Sequence, residues 1–178
     1  MEFKILTKFE QDKYDNEILD LLAKSDTEFV PPLSARVSTT QSDLTTIKSA
    51  EGGVLHYFKE LKKQRILVAT EDEKLVAFVS FNENFVNDTI GEEHLPNIYI
   101  STVLVTPEGR GKGLTRKMYE FLFGKYEKAN IFTRTWSTNE AHIKILLRFG
   151  FEKILVLENH RGNGIDTIYF KKENMCIS

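Results

Sequence analysis

The pattern that most clearly points to chemistry is a glycine-rich stretch in the second half of the chain. Gly109, Gly111 and Gly113 alternate with two basic residues, directly after an apolar run over residues 99–105. Glycines permit backbone angles that a Cβ forbids, so successive N–H groups can point at one spot. The start of a helix adds unpaired N–H groups and the positive end of its dipole. The stretch therefore predicts an anion-binding turn.

The residues on either side predict the strand and the helix that would hold this turn. Residues 99–105 are rich in β-branched and aromatic side chains and carry no charge, which is typical of a strand covered on both faces. Pro107 cannot donate to a ladder and ends the strand. After the glycines, apolar residues recur at helical spacing, at Leu114, Met118, Phe121 and Leu122. Walker and dinucleotide-binding glycine spacings are both absent from this stretch.

Residues 105–115 resemble the acetyl-CoA signature of the GNAT N-acetyltransferases, Arg/Gln-x-x-Gly-x-Gly/Ala. Arg110 and Gly113 match the first two fixed positions, and Thr115 departs from the third. Residues 139–151 resemble the Asn…Gly-Phe segment that follows the next strand in this family. The resemblance covers nearly the whole chain and implies a fold, a co-substrate and a reaction.

The order of elements predicts a single domain over residues 1–178 of the α/β (α+β) class. We expect a mixed, mostly antiparallel twisted sheet, flanked by helices, with a parallel pair at its centre. The GNAT resemblance implies that this central pair splays apart. The expected strands are 2–8, 65–70, 75–81, 99–105, 131–136, 151–157 and 165–171. The expected helices are 11–24, a short one capped by Ser42 or Asp43, 54–61, one from 114, and one capped by Ser137 or Thr138 that ends near 149.

By the resemblance, acetyl-CoA is the co-substrate, held by main-chain groups at the end of the central strand and by the glycine-rich turn. The residues assigned to it are Val103, Leu104, Val105, Arg110, Gly111, Lys112, Gly113, Leu114, Thr115 and Asn139. The residues themselves leave plainer alternatives open. Arg110 and Lys112 could be solvated loop cations, and Asn139 could be a helix cap.

Acetyl transfer requires a polarised carbonyl, an unprotonated amine and a stabilised thiolate leaving group. GNAT enzymes often place a Tyr four residues before the Gly of Gly-Phe as general acid, and this chain has Leu146 there. The candidates for proton transfer are Glu83, Glu93, His94 and His142. Each could equally be a surface or structural residue, so the base is unresolved.

Composition and net charge limit the classes of partner that we expect this protein to bind. A formal net charge of −2 and a pI of about 6.1 predict no nucleic-acid or membrane partner. Cys176 is the only cysteine, and no signal-like or spanning run is present, so we expect a cytoplasmic protein. No metal site is predicted. The expected acceptor is a small-molecule or peptide amine, and the acidic connection at 82–94 favours a cationic one. A homodimer that completes the acceptor cleft is compatible with the sequence.

The sequence leaves open the role of one loop and two alternatives to an acetyltransferase. The loop over residues 25–40 could be a lid or an acceptor-binding loop, and within it Arg36 could pair with a substrate carboxylate or lie in solvent. Leu146 leaves room for a GNAT-like module that binds acyl-CoA or regulates without turnover. A phosphate-binding protein that takes nucleotides without CoA is the third alternative.

Overall fold

A seven-stranded sheet organises the computed structural model, which describes residues 1–45 and 51–173. The strands in these ranges are β1 (Glu2–Ile5), β2 (Arg65–Glu71), β3 (Lys74–Glu83), β4 (Asn97–Val105), β5 (Asn130–Trp136), β6 (Glu152–Leu157) and β7 (Thr167–Lys172). The α-helices are α1 (Lys8–Gln11), α2 (Asp15–Lys24), α3 (Gly53–Leu61), α4 (Leu114–Lys125) and α5 (Glu140–Arg148). The predicted order of the strands, and of the helices α2 to α5 among them, is confirmed, whereas α1 was not predicted.

The strands lie in the order β1-β2-β3-β4-β5-β7-β6. Every neighbouring pair is antiparallel except β4 and β5, which run parallel at the centre. A parallel pair needs a crossover connection, and α4 supplies it. This sheet is the mixed, mostly antiparallel one that the sequence predicted.

Some predicted boundaries were wrong. The first strand ends at Ile5, because Thr7 begins α1 and its N–H donates to the Glu10 carboxylate at 3.0 Å. Asn139 caps α5 in place of the predicted Ser137 or Thr138. The short helix predicted after Ser42 or Asp43 would run into residues 46–50. Those residues, like Cys176, lie outside the described ranges.

Apolar side chains cover the sheet on both faces. One core cluster packs α4 and α5 on the sheet and includes the fully buried Met118, Tyr119 and Leu146. A second packs α2 and α3 on the opposite face and includes Tyr57 and Phe78. Helices on both faces hold the central strands in place.

The central pair separates part-way along its length. Residues 97–100 of β4 pair with residues 130–133 of β5, and in the described residues the ladder stops there. At the last pair, Thr133 Oγ1 donates to the Ile100 carbonyl oxygen at 3.0 Å. Just beyond it, Ser101 forms a bulge against β3, and bulges bend strands. The predicted splayed pair is therefore confirmed.

No helix within residues 1–45 and 51–173 is long and apolar enough to cross a membrane. The same ranges contain no group of His, Cys, Asp or Glu side chains arranged to hold a metal ion.

Candidate active site

A cavity of about 730 Å³ lies beside the N-terminus of α4. Its walls come from the end of β4, the glycine-rich turn, the first turn of α4 and the last turn of α5, with one residue from the loop after α2. The lining residues are Val103, Leu104, Val105, Arg110, Gly111, Gly113, Leu114, Thr115, Arg116, Ile145, Arg148, Phe149 and Glu28. The volume falls in the range of small-molecule and cofactor sites.

The first turn of α4 leaves three amides without a protein acceptor. Gly113 caps the helix with φ of 70°, a left-handed angle that favours glycine. The first helical hydrogen bond runs from Lys117 N to Gly113 O at 3.1 Å. The N–H groups of Leu114, Thr115 and Arg116 make no hydrogen bond to any described residue. These amides, with the dipole of α4, form an anion site at the cavity wall.

The turn keeps its shape because Gly109 is packed closely. A Cβ at this position would lie 3.0 Å from Leu114 Cδ1 and 3.0 Å from Val105 Cγ1. The Gly109 N–H donates to the Thr106 carbonyl oxygen at 2.9 Å. Gly109 thus joins the end of β4 to the start of α4, and the free amides lie beyond it.

Charged side chains surround the same cavity. Arg110 Nη2 donates to both carboxylate oxygens of Glu28, at 2.8 and 3.0 Å, and each side chain is about half exposed. Arg116 and Arg148 also line the wall. Arg116 is itself paired with Glu120, since its Nε donates to Glu120 Oε1 at 2.8 Å. The wall therefore offers guanidinium groups that suit a phosphate-bearing ligand, although two of them already have carboxylate partners.

A second cavity, of about 280 Å³, lies in the gap between β4 and β5. Its lining includes Ile100 and Thr133 at the last ladder pair, Asn139 and His142 from one face of the sheet, and residues of the opposite face. The residues of that opposite face are Phe29, Arg134 and Trp136. The two cavities share the wall residues Glu28, Val103, Leu104, Thr115 and Ile145. The gap therefore adjoins the larger cavity.

His142 is the histidine that lines the smaller cavity. Its Nε2 lies 2.9 Å from the Tyr119 hydroxyl, and burial lowers its pKa to about 4. The ring is therefore neutral near pH 7. Leu146 is fully buried in the core beneath α5 and brings no proton-bearing group to the gap.

The residues assigned to acetyl-CoA mostly come together. Those from β4, the turn and α4 line the larger cavity, except Lys112, which is exposed outside both linings. Asn139 lines the smaller cavity and also caps α5, because its Oδ1 accepts from His142 N at 3.4 Å and its Nδ2 donates to Thr135 Oγ1 at 3.0 Å. The helix-cap interpretation of Asn139 is confirmed, and its role towards acetyl-CoA stays a prediction.

The proton-transfer candidates do not come together. His142 lines the smaller cavity, whereas Glu83, Glu93 and His94 lie near the start of β4, and neither cavity includes them. Glu83 accepts a hydrogen bond from the Tyr126 hydroxyl, and its register partner is Ile98, before the strands separate. Their catalytic roles stay predictions.

Several lining residues were missed by the sequence analysis. Glu28 and Phe29 reach the cavities from the loop after α2, and Arg134 reaches the gap from β5. No spacing rule connects Glu28 with Arg110, 82 residues away. Arg116 had a local signal, since it lies three residues after Gly113 on the first turn of α4.

A comparison with protein families matches residues 34–151 to the Acetyltransferase (GNAT) family. The chain belongs to this GNAT family. The match confirms the resemblance found in residues 105–115 and includes the glycine-rich turn, β4 and β5. Membership indicates acetyl transfer as the general chemistry of the chain. A comparison with curated protein sequences found no match.

Solved structures with the same fold are GNAT proteins of low identity. An N-acetyltransferase from Staphylococcus aureus Mu50 is 16% identical, with a TM-score of 0.67 over 97% of this chain and 98% of that one. The yncA protein of Salmonella typhimurium, solved with its cofactor acetyl-CoA, is 15% identical, with a TM-score of 0.65 over 100% and 96%. A ribosomal-protein-alanine N-acetyltransferase from Brucella melitensis is 16% identical, with a TM-score of 0.66 over 97% and 99%. These likenesses show the fold.

Proposed function

We propose that this GNAT protein transfers acetyl from acetyl-CoA to a primary amine by direct attack in a ternary complex. One observation carries the proposal: the unpaired amides of α4 face a cavity that adjoins the gap between β4 and β5. Phosphates at the amides would place the pantetheine arm along the end of β4. The thioester would then reach the gap, where the amine would bind.

In the proposed reaction, the amine nitrogen attacks the thioester carbonyl carbon, and the C–S bond breaks to release CoA. The nitrogen loses one proton and the thiolate gains one, so no enzyme-bound acyl group is needed. Among the described residues that line the smaller cavity, the Glu28 carboxylate and the neutral His142 ring are the candidate acceptors of the amine proton. A thiolate leaves readily, so the missing hydroxyl at Leu146 is compatible with turnover.

The proposal predicts steady release of free thiol when the protein is mixed with acetyl-CoA and a panel of amines. Release must depend on the amine and must continue for many turnovers per protein molecule. Acetyl-CoA that binds and is not consumed with any amine would favour the alternative of a non-catalytic acyl-CoA-binding module. That alternative is motivated by Leu146, which occupies the position where the family often has a Tyr. Tight ATP binding that acetyl-CoA cannot displace would indicate a nucleotide protein.

Glu28→Gln is expected to tighten acetyl-CoA binding about two- to fivefold. The Glu28 carboxylate holds Arg110 and lies on the same wall as the proposed phosphate site. Its neutralisation frees the guanidinium and removes a repulsive charge. Calorimetric titration with acetyl-CoA measures the change, and kcat measured in parallel reports whether the same carboxylate takes the amine proton.

A matched control is Glu140→Gln, which removes a carboxylate from an exposed pair with Lys144 on α5, outside both cavity linings. It should leave the acetyl-CoA affinity unchanged. Weaker binding by Glu28→Gln would contradict the expected result, because it would mean that the carboxylate holds the ligand.

A further inference from the structure

Three arginines meet behind the smaller cavity, on the face of the sheet covered by the loop after α2. Arg36 and Arg161 are only 5% and 6% exposed, and Arg134 is half-buried on β5. Arg36 Nη2 and Arg161 Nη1 donate to the same carbonyl oxygen, that of Val30, at 3.3 and 2.6 Å. The guanidinium groups of Arg36 and Arg161 are therefore neighbours. The cluster comes from three distant parts of the chain.

Within the part of the chain that the structure describes, these guanidinium groups have only neutral hydrogen-bond partners. Arg36 donates to the Val30 and Pro31 carbonyls, Arg134 to the Gln41 carbonyl and the Tyr169 hydroxyl, and Arg161 to the Val30 carbonyl and the Thr167 hydroxyl. Within the described residues, no carboxylate lies within 4.0 Å of any of the three. Buried charges in proteins are normally paired.

The electrostatic cost of this arrangement is visible at Arg161. Burial, followed by repulsion from Arg36 and Arg134, lowers its pKa to about 9. Like charges brought together out of water raise the free energy of the folded chain. An anion bound among them would offset that cost, as a carboxylate or phosphoryl group does at other guanidinium sites.

The cluster faces the gap in which the acceptor would lie. Arg134 lines the smaller cavity and follows Thr133, the residue at the last ladder pair. Two aromatic rings of the same lining lie beside the guanidinium groups of Arg36 and Arg161. Arg36 lies 5.4 Å from the Phe29 ring centroid, and Arg161 lies 5.7 Å from that of Trp136. An anion at Arg134 would therefore sit close to the thioester position.

We propose that the acceptor amine also carries a compact anionic group, a carboxylate or a phosphoryl group, which binds to Arg134 in the smaller cavity. This proposal rests on the proposed function, because an acceptor exists only if the protein transfers acetyl. An anionic group on the acceptor takes the place of the cationic amine that the acidic connection at 82–94 suggested. That connection lies near the start of β4, outside both cavity linings. A cavity of about 280 Å³ suits a small molecule, such as an amino acid or an aminoalkyl phosphonate.

The test uses Trp136, the only tryptophan of the chain, as a reporter of the cavity. Its fluorescence is titrated with amino acids, with their uncharged carboxamides, and with aminoalkyl phosphonates. We expect a saturable change with at least one anionic class and binding about 30-fold weaker for the matched carboxamides. The carboxylate and phosphonate arms identify which anion is bound. This readout needs no acetyl-CoA, so it stands even where thiol release fails.

Arg134→Gln is expected to weaken binding of the anionic compound about 30-fold, whereas Arg134→Lys retains part of the affinity. Arg65→Gln is the matched control, since Arg65 is half exposed on β2 and lines neither cavity. Thiol-release kinetics on the same compounds should show the preference in kcat/KM. Arg134→Gln also loses hydrogen bonds to Gln41 and Tyr169. If that variant does not fold, the comparison of acids with carboxamides on the wild-type protein tests the proposal.

Three results would overturn the proposal. One is equal affinity for acids and their carboxamides, and another is a response to cationic amines alone. The third is a folded Arg134→Gln variant that binds the anionic compound as well as the wild type does. Each would mean that the three guanidinium groups only fasten the loop after α2 to the sheet. Thiol release with simple amines could still be observed in all three cases, so the proposed function would survive.

Discussion

Gly113→Glu should abolish measurable acetyl-CoA binding in a protein that still folds. Gly113 has φ of 70° and lines the larger cavity, and a Cβ placed there meets no atom within 4 Å. The new side chain therefore has room, but it brings a negative charge beside the free amides of α4 and strains the cap. We expect the affinity to fall by about 100-fold or more, measured by calorimetric titration.

The matched control for this change is Gly124→Glu, which adds the same charge to the same helix near its other end. Gly124 is exposed and also has no atom within 4 Å of an added Cβ. Its affinity for acetyl-CoA should equal that of the wild type. If Gly113→Glu is folded and binds acetyl-CoA normally, the turn does not hold the phosphates, and the proposed function loses its main support.

The folded protein should lose about 2 kcal/mol of unfolding free energy through His142 between about pH 7.5 and about pH 5. Burial lowers the pKa of this ring to about 4, whereas an exposed histidine titrates near its ordinary value of about 6.5. Between these two pKa values the unfolded chain binds more protons than the folded chain. Stability from His142 is therefore complete above about pH 6.5 and falls as the pH is lowered towards 4.

His142→Gln isolates this contribution, because glutamine can keep a hydrogen bond to Tyr119 and does not titrate. Urea unfolding followed by Trp136 fluorescence at both pH values gives the free energies for each protein. The drop in the variant should be smaller than in the wild type by about 2 kcal/mol. Identical drops in the two proteins would show that the ring is not buried in its neutral form.

Local sequence patterns were sufficient for the strands, the longer helices and the position of the glycine-rich turn. Residues 99–105 carry a strand signal in their own side chains, and Gly113 followed by Leu114 and Met118 carries a helix start. Such signals depend on neighbours within a few residues, so they are readable without a fold. The family resemblance then supplied the position of the splayed pair, which no single strand encodes.

Contacts between distant segments could not be predicted in the same way. Glu28 meets Arg110, and Arg36 meets Arg161, only after the loop after α2 has folded over the sheet. The acidic residues at 82–94 favoured a cationic acceptor in the sequence analysis, and that expectation stays a prediction. Electrostatic effects depend on distance, and the structure places this connection near the start of β4, outside both cavity linings.

Because β4 and β5 pair over only part of their length, the sheet consists of two leaves that are joined by this short ladder. One leaf is β1 to β4, the other is β5 to β7, and each is stiffened by its own antiparallel ladders. The width of the aperture between the leaves then follows from their mutual twist, which the buried side chains beneath α4 and α5 set. Under the proposed function, we therefore expect the volume of the core side chains, as well as the residues at the opening, to affect the length of acyl chain that the gap accepts.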